Sequence, residues 1–220
     1  MNNVTCDSRA SRMYEPTAHV LAAHSELPLI VDHVGENLGG AGGFHRGLRA
    51  AYKAGFDRIW LMDDDVRPAP WALQALLTDG GEVLACVREN RHGRLVEKAA
   101  IRFDLTNPLR LRPKTATVDS TFPDRASMPP RVRIENAAFE GFMVHRDVVG
   151  EIGYPDPSYF IFYDDCDYVI RAERAGHDAY AVRDALMRRH YEFVQTNDLA
   201  SWKGYYMYRN LFAVHLRYGT

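Results

Sequence analysis

The chain has 220 residues, of which 46% are apolar and 25% charged, and a formal net charge of −2 at pH 7. This length and composition predict one globular domain with a buried core, and the near-neutral charge gives no reason to expect a nucleic acid partner. Cys6, Cys86 and Cys166 lack CxxC spacing, which argues against a disulfide framework or a structural zinc site. Without a membrane-length apolar run or a signal-peptide core, the sequence favours reduced thiols in the cytoplasm.

In chain order, apolar periodicity and turn residues predict alternating strands and helices, which indicates an α/β fold. Strands are expected at 27–31, 57–62, 82–87, 95–103 and 178–182, ordered segments of unassigned type at 131–138 and 141–144, and helices at 44–55, 71–77, 147–152, 164–175 and 202–218. The glycine-dense stretch 35–43 is expected to be a loop. The stretch 107–130 loses its apolar period to proline, threonine and arginine, so we expect an excursion without assignable structure, typical of a substrate loop.

Three consecutive aspartates, Asp63, Asp64 and Asp65, follow the predicted strand 57–62. Alternate residues of an extended chain point the same way, so Asp63 and Asp65 can meet one cation from the same side. Carboxylate ligands favour Mn²⁺ or Mg²⁺ and leave positions open for diphosphate oxygens, which implies a nucleotide diphosphate as ligand. The alternative is an acidic turn or a helix cap, because aspartates favour both.

A second acidic group, Asp164, Asp165 and Asp167, opens a predicted helix about one hundred residues later. The helix dipole and unpaired amides favour carboxylates in a first turn, so capping explains one or two of them. A third adds repulsion, which is easier to understand if one carboxylate faces a cleft as a general base. His190 follows a further strand, where a lone histidine is more typical of surface or core than of a metal site.

The glycines before the first long helix are Gly35, Gly39, Gly40, Gly42 and Gly43. Such a position is typical of a tight turn or of a phosphate cradle at a helix N-terminus. Their spacing does not match GxGxxG, and no lysine follows as in GxxxxGK[ST]. The pattern therefore supports neither a dinucleotide-binding fold nor a kinase-like site.

Four motifs, in this order, resemble those of family 2 glycosyltransferases, in particular the bacterial galactofuranosyl- and rhamnosyltransferases. They are NLGGAGGF from Asn37, WLMDDDV from Trp60, EGFM from Glu140 and FIFYDDCDY from Phe160. The resemblance implies a GT-A type α/β fold, in which helices flank a mixed, mostly parallel sheet. The catalytic domain would span 1–195, and a C-terminal aromatic helix would occupy 196–220.

The resemblance also implies roles for single residues. Asp63 and Asp65 would bind the metal, His190 would be its third protein ligand, and Asp165 would be the catalytic base. The residues expected near the nucleotide are Asn37, Gly39, Gly40 and Asp64, and those expected at the acceptor are Glu140, Gly141, Phe142 and Asp164. By analogy the reaction is inverting: Asp165 deprotonates an acceptor hydroxyl, which attacks the anomeric carbon as the nucleoside diphosphate leaves.

The resemblance further implies a UDP- or dTDP-linked donor of the galactofuranose or rhamnose class, Mn²⁺ or Mg²⁺ as cofactor, and a polysaccharide or glycolipid acceptor. The C-terminal apolar stripe is Trp202, Tyr205, Tyr206, Tyr208, Phe212 and Leu216. We expect it to pack on the domain; the alternative is that, with Lys203, Arg209 and Arg217, it rests on the inner face of the plasma membrane and meets a lipid-linked acceptor. Whether the chain forms a homo-oligomer stays open.

The chain departs from the resembled family at its start, where residues 1–8 look like the end of the family's second strand. The first strand and helix, with much of the nucleoside-base pocket, are therefore expected to be absent. Two alternatives stay open: an inactive binding or assembly module, and a metal-dependent phosphohydrolase that uses an activated water. Metal-dependent nucleotide binding would argue against the first, and donor hydrolysis faster than transfer would indicate the second.

Overall fold

The computed structural model describes residues 3–5, 29–189 and 200–219. The strands in these ranges are β1 Asn3–Thr5, β2 Leu29–Val31, β3 Arg58–Leu61, β4 Val66–Pro68, β5 Val83–Glu89, β6 Ala100–Phe103, β7 Lys114–Thr117, β8 Arg131–Ile134, β9 Phe142–His145 and β10 Ala179–Arg189. The helices are α1 Gly39–Lys53, α2 Ala72–Asp79, α3 Val118–Thr121, α4 Arg146–Ile152, α5 Asp164–Arg174 and α6 Lys203–Tyr218, and a 3-10 turn spans Pro157–Tyr159.

A mixed six-stranded sheet forms the centre of the molecule: five strands follow the order β3-β9-β5-β10-β4, and the sixth, β8, pairs with β10. Strands β5 and β10 are parallel, whereas β9 lies antiparallel between β3 and β5. A register shift between Val182 and Leu186 divides β10, so that its first part pairs with β8 and its last part with β4. The expected GT-A type α/β class is confirmed, but the sheet is not mostly parallel: β5 and β10 are the one parallel pair within it, and β4, β8 and β9 are antiparallel to their neighbours in the described residues.

Helices cover both faces of this sheet because its strands alternate their apolar side chains between two clusters. One face carries Leu61 and Phe142 and packs against α1, α4 and α5. The other carries Leu84 and Met143 and packs against α2. Strand β5 is buried at its first six positions, which fits its nearly continuous apolar sequence and its place inside the sheet.

The glycine-dense stretch corrects one expectation, since helix α1 already begins at Gly39. Gly39 has a φ of +67°, and a Cβ there would lie 2.1 Å from the carbonyl oxygen of Phe160. A Cβ on Gly42 would lie 2.4 Å from the Cβ of Leu38. These glycines permit close contact between a helix and its neighbours, whereas sequence rules associate glycine with loops.

Two further elements differ from the sequence-based expectation. The excursion 107–130 contains β7, which pairs with β6, and the short helix α3. The apolar period is missing there because the side chains of β7 are exposed or only partly buried. Strand β10 continues to Arg189, well past the expected end at Val182.

Cys86 and Cys166 are buried free thiols. Among the described residues, no helix combines the length and apolar character that crossing a membrane requires.

Candidate active site

The first acidic group forms a turn between β3 and β4. The carboxylates of Asp63, Asp64 and Asp65 offer oxygens that all lie within 4.8 Å of one another. Asp63 and Asp64 are exposed and Asp65 is half-buried. The backbone amide of Asp64 donates a 3.0 Å hydrogen bond to Oδ1 of Asp63. The turn therefore holds three carboxylates together in spite of their mutual repulsion.

The described residues compensate the charges in this turn only in part. Although Asp63 borders solvent, partial desolvation by the surrounding protein, followed by repulsion from its two neighbours and Glu140, raises its pKa to about 6. Burial and the charge of Glu140 also raise the pKa of Asp65. Oδ1 of Asp65 is buried and has no hydrogen-bond partner among the described residues. A set of hard oxygen donors with an unpaired buried oxygen fits a divalent cation such as Mn²⁺ or Mg²⁺.

Glu140 lies beside this turn because the residue after it bridges two strands. The amide of Gly141 donates to the carbonyl of Leu61 at 2.9 Å, and its own carbonyl accepts from the amide of Cys86 at 2.9 Å. Gly141 has a φ of +96°, and a Cβ there would lie 2.8 Å from the Cβ of Cys86. This close backbone passage requires glycine and fixes the position of Glu140 next to the end of β3.

Two guanidinium groups hold the Glu140 carboxylate. Arg88 contacts Oε2 at 2.6 Å, and Arg189 donates to both oxygens, with a distance of 2.5 Å to Oε2. Burial alone would raise the pKa of Glu140, but the two cations outweigh it and lower the pKa. Arg88 is fixed in turn by two 2.8 Å bonds to the buried carboxylate of Glu97. Glu140 is therefore ionised and rigidly oriented.

Asp165 belongs to the same electrostatic environment, although it lies at the start of α5. Burial raises its pKa, the nearby cation of Lys114 opposes the rise, and the negative charge of Glu140 adds to it. Oδ1 of Asp165 accepts a 2.6 Å bond from the amide of Cys166. Because Lys114 belongs to β7, the excursion 107–130 brings a cation close to the carboxylate of Asp165.

The neighbours of Asp165 have different environments. Asp164 is buried, and burial together with the charge of Asp165 raises its pKa. Asp167 is fully buried and accepts hydrogen bonds from four side chains, those of Tyr159, Arg171, Arg217 and Tyr218. Two of these donors belong to α6. Asp167 therefore anchors the C-terminal helix and does not face a ligand.

The backbone before α5 is strained. Phe160, Phe162 and Tyr163 have φ values of 63°, 66° and 67°, a region that bulky residues rarely adopt. Such conformations cost of order 1–3 kcal/mol each and persist where surrounding contacts hold them. Asp164 and Asp165 follow directly, so the direction in which α5 begins depends on this segment.

The remaining site residues predicted from the sequence occupy varied surroundings. Oδ1 of Asn37 accepts a 2.9 Å bond from the amide of Gly39, and Gly40 has open space beside its Cα. The ring of Phe142 is fully buried against Phe139 and Tyr168, so it supports the site from the core rather than facing an acceptor. His190, the expected third metal ligand, lies outside the described residues.

Four charged residues of the site were missed by the sequence reasoning: Arg88, Glu97, Lys114 and Arg189. Arg88 carried a usable signal, because it is the first charged residue after the apolar run of β5. Lys114 carried none, since it lies in the stretch without a recognisable pattern.

Residues 14–206 match the family model "Glycosyltransferase like family 2", and the chain belongs to this family. The resemblance inferred from the four motifs is thereby confirmed. The chain is 29% identical to galactofuranosyltransferase GlfT1 of Mycolicibacterium smegmatis over 179 residues, covering 74% of this chain and 53% of the relative. It is 28% identical to GlfT2 of the same organism over 200 residues, covering 83% and 30%. The chain thus spans about half the length of the first relative and less of the second.

Solved structures share the fold. GalNAc-T7 with UDP, GalNAc and Mn²⁺ aligns with a TM-score of 0.56 at 11% identity, covering 86% of this chain and 37% of that one. Residues 1–349 of S. aureus TarS in complex with UDP-GlcNAc also align with a TM-score of 0.56, at 14% identity, covering 99% and 58%. At these identities the likeness establishes the fold alone.

Proposed function

We propose that this chain transfers a sugar from a nucleotide diphosphate donor to a hydroxyl group of a polysaccharide or glycolipid acceptor. The observation that carries the proposal is that the charge of Glu140 acts on residues of both acidic groups. These residues are Asp63 and Asp65 at the end of β3, and Asp165 at the start of α5. Such interactions decline with distance, which supports placing the acidic turn and the candidate base in one site.

The donor end of the site consists of the acidic turn and the start of α1. Asp63 and Asp65 would hold the cation, with His190 as the proposed third ligand and Asp64 near the nucleotide. Asn37 and the glycines at the start of α1 would border the nucleotide. The bound cation would offset the charge on the departing diphosphate. UDP and Mn²⁺ are present together in the fold neighbour GalNAc-T7, which supports this choice of ligands.

Asp165 is the proposed general base. Burial raises its pKa and thereby its affinity for the proton of an acceptor hydroxyl. Glu140 remains ionised between Arg88 and Arg189, so it keeps its lower proton affinity and does not compete for that proton. The deprotonated hydroxyl attacks the anomeric carbon from the face opposite the diphosphate, and the configuration inverts. Glu140, Gly141 and Asp164 would border the acceptor.

The donor is proposed to be a sugar of the galactofuranose class, with rhamnose as the alternative, because the relatives named above are galactofuranosyltransferases. UDP is favoured over dTDP because the structural neighbours contain it. The C-terminal stripe was expected to pack on the domain, but most of it is exposed: Trp202 just before α6, and Tyr205, Tyr208, Phe212 and Leu216 on α6. We propose that this apolar surface rests on the inner face of the plasma membrane, next to a lipid-linked acceptor.

Calorimetric titration of UDP and dTDP, with and without manganese, tests the donor site. The wild-type chain should bind one nucleotide only when manganese is present, and the double variant Asp63→Ala, Asp65→Ala should lose this binding. A matched control is the double variant Asp147→Ala, Asp184→Ala, which removes two exposed carboxylates and should bind as the wild type does. No binding by a folded wild-type chain would contradict the proposal. Donor hydrolysis faster than transfer to every acceptor would favour a phosphohydrolase.

A further inference from the structure

One side chain of the C-terminal helix, that of Asn210, donates hydrogen bonds to three backbone carbonyls in the strained segment before α5. Nδ2 of Asn210 donates to the carbonyl oxygens of Tyr159, Ile161 and Phe162 at 3.0, 2.8 and 2.8 Å. An amide nitrogen carries two hydrogens, so at least one of them is shared between carbonyls. Asn210 is 1% exposed, and water therefore has little access to replace these bonds.

The neighbouring arginine fixes the orientation of this carboxamide. Nε of Arg209 donates a 2.8 Å bond to Oδ1 of Asn210, which leaves Nδ2 facing the carbonyls. The same guanidinium donates to the carbonyls of Ser158 and Tyr159 at 2.6 and 3.0 Å. Two adjacent residues of α6 thus hold four carbonyls of residues 158–162.

The held segment connects both ends of the proposed site. Phe160 and Phe162 within it and Tyr163 directly after it have positive φ values, and Asp165 follows two residues after Tyr163. On its opposite side, the carbonyl of Phe160 accepts a 3.1 Å bond from the amide of Ala41 in the first turn of α1. A change in this backbone would move the start of α5 and would disturb its contact with α1.

We propose that Asn210 is a positioning residue, which holds the strained backbone of residues 159–163 so that Asp165 faces the acceptor. The inference rests on the proposed role of Asp165 as the base. Asn210 is remote from the reacting atoms in this scheme and acts through the peptide backbone. Helix α6 thus presents an exposed apolar surface and also holds the backbone before α5.

Two substitutions test the role, with one matched control. Asn210→Leu keeps a side chain of similar size and removes the donors, and Asn210→Asp keeps the acceptor for Arg209 but presents oxygen to the carbonyls. Val214→Ala is the control, since Val214 is fully buried on the same helix and packs in a cluster with Tyr159 and Ala41. Any loss of activity that comes only from loosening α6 should appear in the control as well.

We expect both Asn210 variants to lose about 10- to 100-fold in kcat, because displacing a reacting group by about 1 Å has effects of this size. Manganese-dependent nucleotide binding should weaken much less than kcat falls, because the acidic turn is unchanged and only the contact of Phe160 with α1 is loosened. Hydrogen exchange should accelerate at the amides of Ala41 and residues 160–167, and should stay unchanged in β5. The Val214→Ala variant should keep the slow exchange of residues 160–167.

A kcat in both Asn210 variants no lower than that of Val214→Ala, or unchanged exchange in residues 160–167, would overturn the positioning role. A wild-type chain that binds nucleotide but transfers no sugar to any acceptor would overturn the proposed function instead, and with it the reason to position Asp165. These failures are distinguishable because one is seen in the variants and the other in the wild type.

Discussion

The two acidic groups have nearly the same local composition, but Asp167 of the second group lies in an environment opposite to that of the first group. At Asp63, Asp64 and Asp65 the carboxylates lie close together, and a buried oxygen of Asp65 lacks a partner among the described residues. At Asp167, by contrast, four side chains donate to one fully buried carboxylate. The presence of acids therefore says less about a ligand site than whether the protein itself satisfies them.

The second acidic group contains both environments within four residues. The negative charge of Glu140 acts on Asp165 as it does on the acidic turn, whereas Asp167 accepts a hydrogen bond from Tyr218 of α6. Residues two apart on a helix do not share a face, so one helical turn can supply a reactive carboxylate and a structural one. Substitutions should therefore separate the functional acids from the structural acid.

The largest expected effect is that of Asp165→Asn. Removing a general base should lower kcat by about 10²- to 10⁴-fold. Manganese-dependent UDP binding should persist, because the acidic turn is unchanged. Steady-state transfer assays and calorimetry measure the two quantities. A kcat close to that of the wild type would remove Asp165 from the proposed mechanism.

The next effect concerns stability and should come from Asp167→Ala. The change leaves the hydroxyls of Tyr159 and Tyr218 and two guanidiniums without their shared acceptor, so the free energy of unfolding should fall by about 3 kcal/mol. Urea unfolding measures this change. Tyr218→Phe, which removes one donor and keeps the ring, should cost about 1 kcal/mol. Equal stability of Asp167→Ala and the wild type would contradict the anchoring role.

Asp63→Asn should have a smaller effect of the opposite sign. The folded-state pKa of about 6 lies above the ordinary value of 3.8, so ionising Asp63 destabilises the fold as pH rises through this interval. Without metal, the variant should be more stable than the wild type above pH 6, by about 1 kcal/mol after allowance for solvent screening. Thermal unfolding across the pH range should show the advantage vanish towards pH 4. A constant difference at every pH would contradict this origin.

The smallest effect is expected at a surface histidine that satisfies two carboxylates away from the cleft. His177 contacts Glu82 at 2.8 Å and Glu151 at 2.9 Å, and these hydrogen bonds raise its pKa above 6.5. Its contribution to stability is complete below the ordinary pKa and is lost as pH rises through the raised value. His177→Gln should therefore lower the Tm at about pH 5.5 and change it less at about pH 9. A Tm loss independent of pH would contradict the ion-pair account.

Prediction from sequence succeeded where a local pattern has one structural solution. Strand β5 and helix α5 were predicted nearly in full, since an apolar run and a run that ends in Gly176 each have a clear meaning. Helix α1 began earlier than predicted. Its first residue is glycine because Gly39 lies against the backbone of Phe160, which is about 120 residues away in the chain. Strand β7 lies outside the apolar core, and its exposed sequence has no periodic signal.

The residues of the candidate site also fall into those that a local pattern predicted and those that it could not. Asp63, Asp65 and Asp165 could be singled out in advance because acids at a strand end and at a helix start stand out against apolar neighbours. From the sequence alone, Asp167 could not be separated from Asp164 and Asp165, because its partners on α6 lie about 50 residues away. Arg88 and Arg189 reach Glu140 across the sheet, and no local pattern relates them.

By itself, the sequence determined the alternation of strands and helices, the family and the two acidic groups, because each depends on the order of residues within a short window. The tertiary structure decided which acid is satisfied and which is left for a ligand. It also brought Asn210 to the backbone before Asp165. Hydrogen bonding and burial depend on contacts between distant segments, and these arise only when the chain folds.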